Sequence, residues 1–170
     1  MILGIDEALR EIRVASREDY LARRASPAIA LALPSAEAMS DSDQALSSTL
    51  EDEGFGHLLA AEAGCNAVAW LDKSERNIFG NIISLGRAPS NDVQLPFETI
   101  SKVHAVFTRV GDSWRLSDRD ARNGLYLNGR RVEPGSTVDL RDGDRLRFGS
   151  QIEGTFYTPE ALYDFLARLT

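Results

Sequence analysis

A handful of polar side chains in this 170-residue chain are spaced so that neighbouring loops could gather them around one anion. Arg87 follows Ile82-Ile83-Ser84-Leu85-Gly86, so its guanidinium emerges where a strand runs out into a loop. That fork of N–H groups suits paired hydrogen bonds to phosphate oxygens. Ser101 opens the next apolar stretch and offers a hydroxyl that can donate to the same phosphate without adding charge. Lys102 beside it supplies a second cation. Asn123 has an amide that both donates and accepts, as holding an extended peptide backbone requires. Gly124, next to it, permits a positive φ that a side chain resists. Together these groups describe a shallow, loop-built site for one phosphate and one peptide main chain. None of them is a nucleophile paired with a base. Ser101 and His104 are three residues apart at a strand start, a spacing that sends their side chains to opposite faces.

The surrounding pattern explains how such loops would be held. After Ala67 short apolar alternations recur between turn signals, as in an all-β sandwich. The predicted strands are Val68 to Leu71, Ile82 to Leu85, Val93 to Leu95, Ala105 to Val110, Trp114 to Leu116, Leu125 to Leu127, Val138 to Leu140, Leu146 to Phe148 and Thr155 to Tyr157. Asn128-Gly129 signals a two-residue hairpin, and Gly111-Asp112 and Asp142-Gly143 signal further turns. Trp114, Leu116, Leu127, Leu146 and Phe148 are the expected core. Asp118-Arg119-Asp120 superficially suggests a calcium loop, but it lacks the spaced glycine and terminal glutamate, and Arg119 and Arg122 would repel the ion.

Ordered along the chain, the motifs are Gly86-Arg87, Ser90-Asn91-Asp92-Val93-Gln94-Leu95, Ile100-Ser101-Lys102-Val103-His104-Ala105, Asn123-Gly124-Leu125-Tyr126-Leu127-Asn128-Gly129, Asp142-Gly143-Asp144 and Phe148-Gly149. This order resembles a forkhead-associated (FHA) domain, a β-sandwich that reads phosphothreonine, over about residues 66 to 158. The resemblance implies a mainly β fold, an FHA-type β-sandwich of about 11 strands with a helical amino-terminal extension and a carboxy-terminal helix. It implies phosphate contacts for Arg87, Ser101 and Lys102, and backbone capture by Asn123. It places Arg122 close to the phosphothreonine, and gives Gly86, His104 and Gly124 supporting roles. His104 would tie neighbouring loops together. Two positions depart from the family pattern. Arg122 stands where Ser or Thr is common, which would add a phosphate contact or alter the pocket for the threonine methyl, and Leu125 stands where Thr is common.

Outside this stretch the chain divides by composition. Ile2, Ile5, Leu9 and Ile12 fall at steps of three and four and predict an amphipathic helix over about residues 4 to 24. It would either pack on its own domain or dock a partner or a second copy. Ala28 to Leu33 reads equally as strand or helix. Residues 1–33 form the amino-terminal extension, and residues 34–65 an acidic, Ser-rich linker ending in a short helix over 55–64. Within it Thr49, followed three places on by Asp52, is a candidate phosphorylation site and self-ligand. His57 reads as a surface or packing residue. The FHA domain spans 66–158, and residues 159–170 form a helix with Thr158 at its cap, Pro159 in its first turn and an apolar stripe of Leu162, Phe165, Leu166 and Leu169.

Composition narrows the function. Residues 1–62 hold 5 Arg against 12 acidic residues, whereas residues 63–170 hold 14 of each sign, so the entire net charge of −7 lies in the amino-terminal third. Neither part offers the basic field of a nucleic-acid binder. No run reaches the roughly 20 apolar residues of a membrane span, the first residues lack a signal peptide's basic region, and the single Cys65 fits a reducing compartment. The expectation is a cytoplasmic protein. Two histidines and one cysteine are too few for a zinc site, and glycine-rich phosphate loops, Gly-x-Ser-x-Gly elbows and His-Glu-x-x-His are absent from the sequence. No cofactor, metal or enzymatic activity is expected. The reading is a phosphothreonine-dependent interaction module, a bacterial signalling adaptor downstream of a Ser/Thr kinase. Its partner would be a phosphothreonine protein, either that kinase or its substrate, with self-association through the terminal helices as a further expectation. The alternative is a phosphate-independent scaffold with a vestigial site.

Overall fold

Alternation of apolar and polar residues makes extended chain wherever one face is buried, and several strands of this chain are built that way. The computed structural model describes residues 1–34 and 64–170. Among them are β1 (Ile2–Gly4), α1 (Ile5–Val14), α2 (Arg17–Arg23), β2 (Ala28–Ala32), β3 (Ala67–Trp70), β4 (Ile82–Gly86), β5 (Val93–Gln94) and β6 (Ala105–Val110). There follow β7 (Ser113–Asp118), β8 (Leu125–Leu127), β9 (Arg130–Arg131), β10 (Thr137–Leu140), β11 (Arg145–Phe148), β12 (Ile152–Tyr157) and a third helix, α3 (Pro159–Ala167). The chain is mainly β. A seven-stranded sheet in the order β1-β3-β2-β12-β11-β8-β9 faces a five-stranded sheet in the order β10-β7-β6-β4-β5. The pairings are antiparallel except β4 with β5, where Leu85 lies beside Val93. Each strand predicted from the sequence is present to within a few residues, and the hairpin at Asn128-Gly129 joins Leu127 to Arg130.

Between the sheets lies the larger core, which includes Ile29, Leu31, Leu85, Phe107, Leu116, Leu146, Phe148 and Phe156. Trp114 and Leu127, expected inside, are only partly buried and pack against its rim. Trp114 is the second residue of β7, close to the Gly111-Asp112 turn. A second core covers the other face of the seven-stranded sheet. There Ala28, Ala30, Val68 and Trp70 meet Ile5, Ala8, Leu9 and Ile12 of α1, Tyr20 of α2, and Leu162 and Leu166 of α3. The apolar stripes of the terminal helices are thus covered by their own chain, which is the packing alternative for the first helix. Arg24 completes this layer: its guanidinium lies 4.3 Å from the Trp70 ring centroid and pairs through two nitrogens with Glu11.

Two amino-terminal expectations need correction, and one that the sequence leaves open is decided. The single helix over 4–24 is two helices, because Ser16 caps the second by accepting the Asp19 N–H at 3.1 Å. The ambiguous run Ala28 to Leu33 is a strand inside the sheet, paired with β3 on one side and β12 on the other. The first 33 residues are therefore not only helical. Thr158 does occupy the cap position of α3, but its hydroxyl donates to Asp142 at 3.0 Å and makes no cap hydrogen bond. The linker and short-helix readings over 35–63, with Thr49 and His57, lie outside the described residues. Among the described residues no helix is long and apolar enough to cross a membrane.

Candidate functional site

Three loops meet at one end of the sandwich. Strand β4 ends at Gly86, and Arg87 starts the first loop. The second loop, residues 95–104, carries Ser101 and Lys102, so Ser101 lies ahead of β6 rather than opening it. The third loop, between β7 and β8, carries Arg122, Asn123 and Gly124. Backbone hydrogen bonds lace the first two together: Arg87 N–H donates to the Ser101 carbonyl at 2.9 Å, and Ala88 N–H to the Lys102 carbonyl at 3.1 Å. The approach is so close that a Cβ on Gly86 would lie 2.4 Å from the Lys102 oxygen and 2.8 Å from Val103 Cα. A side chain there would force the loops apart.

His104 joins the second loop to the third. It is fully buried. Ser101 N–H donates to its Nδ1 at 3.1 Å, which assigns the ring proton to Nε2, and Nε2 bonds the Gly124 carbonyl at 3.0 Å. Burial lowers the pKa of the ring below the usual histidine value, against the Gly124 hydrogen bond and the Asp118 charge, which raise it. A neutral ring is what this arrangement requires, since a protonated Nδ1 could not accept from Ser101. Both ring nitrogens are occupied by backbone groups, which leaves neither to serve the Ser101 hydroxyl as a base. Gly124 sits at φ +79°, the left-handed conformation foreseen for it, and its carbonyl also accepts the Gly149 N–H at 2.9 Å.

The polar groups facing solvent are held but not exhausted. Arg87 anchors its Nε on the Ile100 carbonyl at 3.1 Å, and no described group is bonded to its terminal nitrogens. Ser101 Oγ accepts the Arg122 N–H at 3.0 Å, so its own proton remains to donate. Asn123 donates from Nδ2 to the Thr99 carbonyl at 2.8 Å, which leaves Oδ1 to accept. Lys102 and Arg122 are exposed, and neither pairs with a described carboxylate. The structure thus brings Arg87, Ser101, Lys102, Arg122 and Asn123 to one end, with Gly86, His104 and Gly124 beneath them. Leu125 does not belong to this surface. It is fully buried in the sandwich core, so that departure from the family pattern concerns packing. Asp118 is buried and accepts the Ala121 N–H at 2.9 Å, shaping the turn that presents Arg122.

Two supporting residues escaped sequence reasoning. Asn91 donates from Nδ2 to the carbonyls of Ala88 (2.8 Å) and Lys102 (2.6 Å), a further bridge between the first two loops. Asp92 accepts from Ser74 N–H (2.8 Å), Asn77 Nδ2 (2.8 Å), Ser84 N–H (2.7 Å) and Ser84 Oγ (3.0 Å). Burial raises the pKa of this carboxyl, but the hydrogen bonds from Ser84 and Ser74 together outweigh it and hold the group below its ordinary value. The signal available in the sequence was the Ser-Asn-Asp triplet between two apolar stretches.

Residues 83–149 match the family described as "FHA domain". The chain is similar to the oxoglutarate dehydrogenase inhibitor of Corynebacterium jeikeium, with 38% identity over 64 residues, which is 38% of this chain and 42% of that protein. It is also similar to the glycogen accumulation regulator GarA of Mycolicibacterium smegmatis, with 35% identity over 66 residues, 39% of this chain and 40% of the relative. The chain spans less than half the length of these curated relatives. Among solved structures, Mycobacterium tuberculosis EmbR in complex with a low-affinity phosphopeptide is 30% identical, covering 46% of this chain and 20% of that one with a TM-score of 0.43. Over residues 83–149, then, the chain carries a stretch that matches the FHA domain.

Proposed function

We propose that the chain binds phosphothreonine in a partner protein and serves as a non-catalytic adaptor downstream of a Ser/Thr kinase. One observation carries this reading: Arg87, Ser101, Lys102 and Arg122 converge on loops fixed to one another by backbone hydrogen bonds, with no described carboxylate engaging their cations. Such a cluster of unneutralised donors on a rigid frame binds a dianion with little reorganisation. In the bound complex the terminal nitrogens of Arg87 and the Ser101 hydroxyl donate to phosphate oxygens, and Lys102 and Arg122 add charge. Asn123 Oδ1 accepts a main-chain N–H of the peptide while Thr99 holds its amide in place. The relatives named as an inhibitor and a regulator, both from bacteria, support a signalling role, with the partner being a kinase or a kinase substrate.

Titration of the full chain with a degenerate phosphothreonine peptide pool and its unphosphorylated twin tests the reading. Binding should require the phosphate, and Arg87→Ala should weaken it by roughly 10-fold or more, as expected for loss of a charge-assisted pair. Equal binding of the two pools, or indifference to Arg87→Ala, would refute it.

A further inference from the structure

We propose that the groove between residues 76–79 and the outer face of β4 and β6 is a second subsite for the same partner. It would receive a bulky aliphatic or aromatic side chain from the segment that carries the phosphothreonine. The inference rests on the phosphothreonine reading and extends it.

The groove has a volume of about 410 Å³, within the roughly 300–1,000 Å³ range of built ligand sites. Ile78, Phe79, Ile82, Val103 and Val106 form its apolar lining, and Arg76 and Arg119 are also in its wall. Ile78 is 85% exposed, Phe79 60% and Val103 40%, which makes this one groove home to half of the six large apolar side chains exposed among the described residues. Exposed apolar residues scattered singly need no explanation, whereas a cluster marks a contact surface. Ile82 and Val106 face it because their neighbours in β4 and β6, Ile83, Ala105 and Phe107, point into the core.

The loop that presents Ile78 and Phe79 is fastened in place. Asp92 bonds Ser74 and Asn77 on that loop and Ser84 on β4, and Asn77 also donates to the Ile82 carbonyl at 2.7 Å. Phe79 N–H donates to Asn77 Oδ1 at 2.8 Å. A solvent-facing aromatic on a segment pinned this thoroughly is preorganised for contact, which lowers the entropic cost of binding.

Continuity with the phosphate site identifies the occupant. Val103 directly follows Lys102, and Ser90, another lining residue, stands three residues after Arg87. Arg119 N–H donates to the His104 carbonyl at 3.2 Å. The wall of the groove is therefore the reverse side of the loops that hold the anion, and an extended peptide anchored by its phosphate reaches the groove within a short stretch. Arg76 and Arg119 share the wall with the Asp92 carboxylate, so the lining carries both signs of charge and the apolar side chains supply its selectivity.

The test uses phosphothreonine peptides in which Leu or Phe replaces Ala at successive positions on either side, titrated against the full chain, Ile78→Ser/Phe79→Ser and Arg87→Ala. Both substituted groove residues are exposed, so folding should survive. One position should show binding about 5- to 30-fold tighter with the bulky residue. The double variant should abolish that gain while keeping dependence on phosphate and on Arg87. A gain at no position, or a gain that persists in the double variant, overturns the subsite and leaves the phosphothreonine reading standing. Absence of phosphate dependence in the unmodified chain removes both. Sedimentation equilibrium adds a separate arm: a lower mass for the double variant would mean that a second copy fills the groove, which also overturns the proposal.

Discussion

Replacing His104 by alanine probes the joint that holds the site together. The ring accepts from Ser101 at 3.1 Å and donates to Gly124 at 3.0 Å. Each such hydrogen bond contributes about 1 kcal/mol net, and stranding a partly buried donor costs about 1–3 kcal/mol more. Gly124 keeps one partner, Gly149 N–H, so the stranded group is the Ser101 N–H. The ring also meets the edge of Phe148, with centroids 6.0 Å apart, and its removal leaves a void in the core. The expected loss is roughly 2–4 kcal/mol, read as a shift in the urea midpoint with an unchanged slope.

A pH series separates this from a mere packing defect. Burial depresses the folded-state pKa of His104 below 6.5, so on acidification the unfolded chain takes up the proton first. The stabilisation is complete above the unfolded pKa of about 6.5, and is lost as the pH falls from there through the folded value. The unmodified chain should therefore lose more stability between pH 7.5 and pH 5 than His104→Ala does. A loss below about 1 kcal/mol at neutral pH, or parallel pH curves for the two proteins, would refute the role assigned to this ring.

Two further substitutions test the frame of the site. Gly86→Ala places a methyl against main-chain atoms 2.4 and 2.8 Å away; it should cost about 1–3 kcal/mol and weaken phosphopeptide binding, and an unchanged affinity would show that the loops can part freely. Asp92→Ala strands donors of Ser74, Asn77 and Ser84 and should cost roughly 2–4 kcal/mol at pH 7, measured by urea denaturation. Because the folded-state pKa of Asp92 is depressed, its contribution is present above the unfolded value of about 3.9 and lost as the pH falls through the folded one. The difference between the two proteins should narrow below about pH 4, and a constant difference would contradict the hydrogen-bonded carboxylate.

The parts of this fold legible in the sequence are those with a period. Strands β6, β7 and β11 bury one face, and their alternation of apolar and polar residues marks them. Strand β2 is buried on both faces, between the sandwich core and the helical layer. Its run Ala-Ile-Ala-Leu-Ala consequently has no alternation to separate it from a helix. The break between α1 and α2 was encoded in Ser16 and Asp19, a cap signal masked by the apolar residues on either side. At the site, Arg87, Ser101 and Asn123 were legible because each sits at a fixed offset from a strand or a turn. Asn91 and Asp92 act through side-chain bonds to residues 8 to 18 positions away, and no local spacing reports such contacts. The groove at Ile78 and Phe79 was invisible for a related reason: it exists only once that loop is tied to β4.

The place of β2 between β3 and β12 also sets the smallest piece of this chain that can stand alone. A fragment beginning at residue 66 would lose β1 and β2 together, leaving both edges of β3 and one edge of β12 unpaired with Val68 and Trp70 uncovered, and would be prone to edge-to-edge aggregation. A cut between residues 35 and 63 is a different matter, because it leaves intact the strand pairings seen among the described residues of the seven-stranded sheet. The two pieces would then be related as host and guest, and peptide 1–34 would be the complement that the larger fragment needs to become soluble and competent.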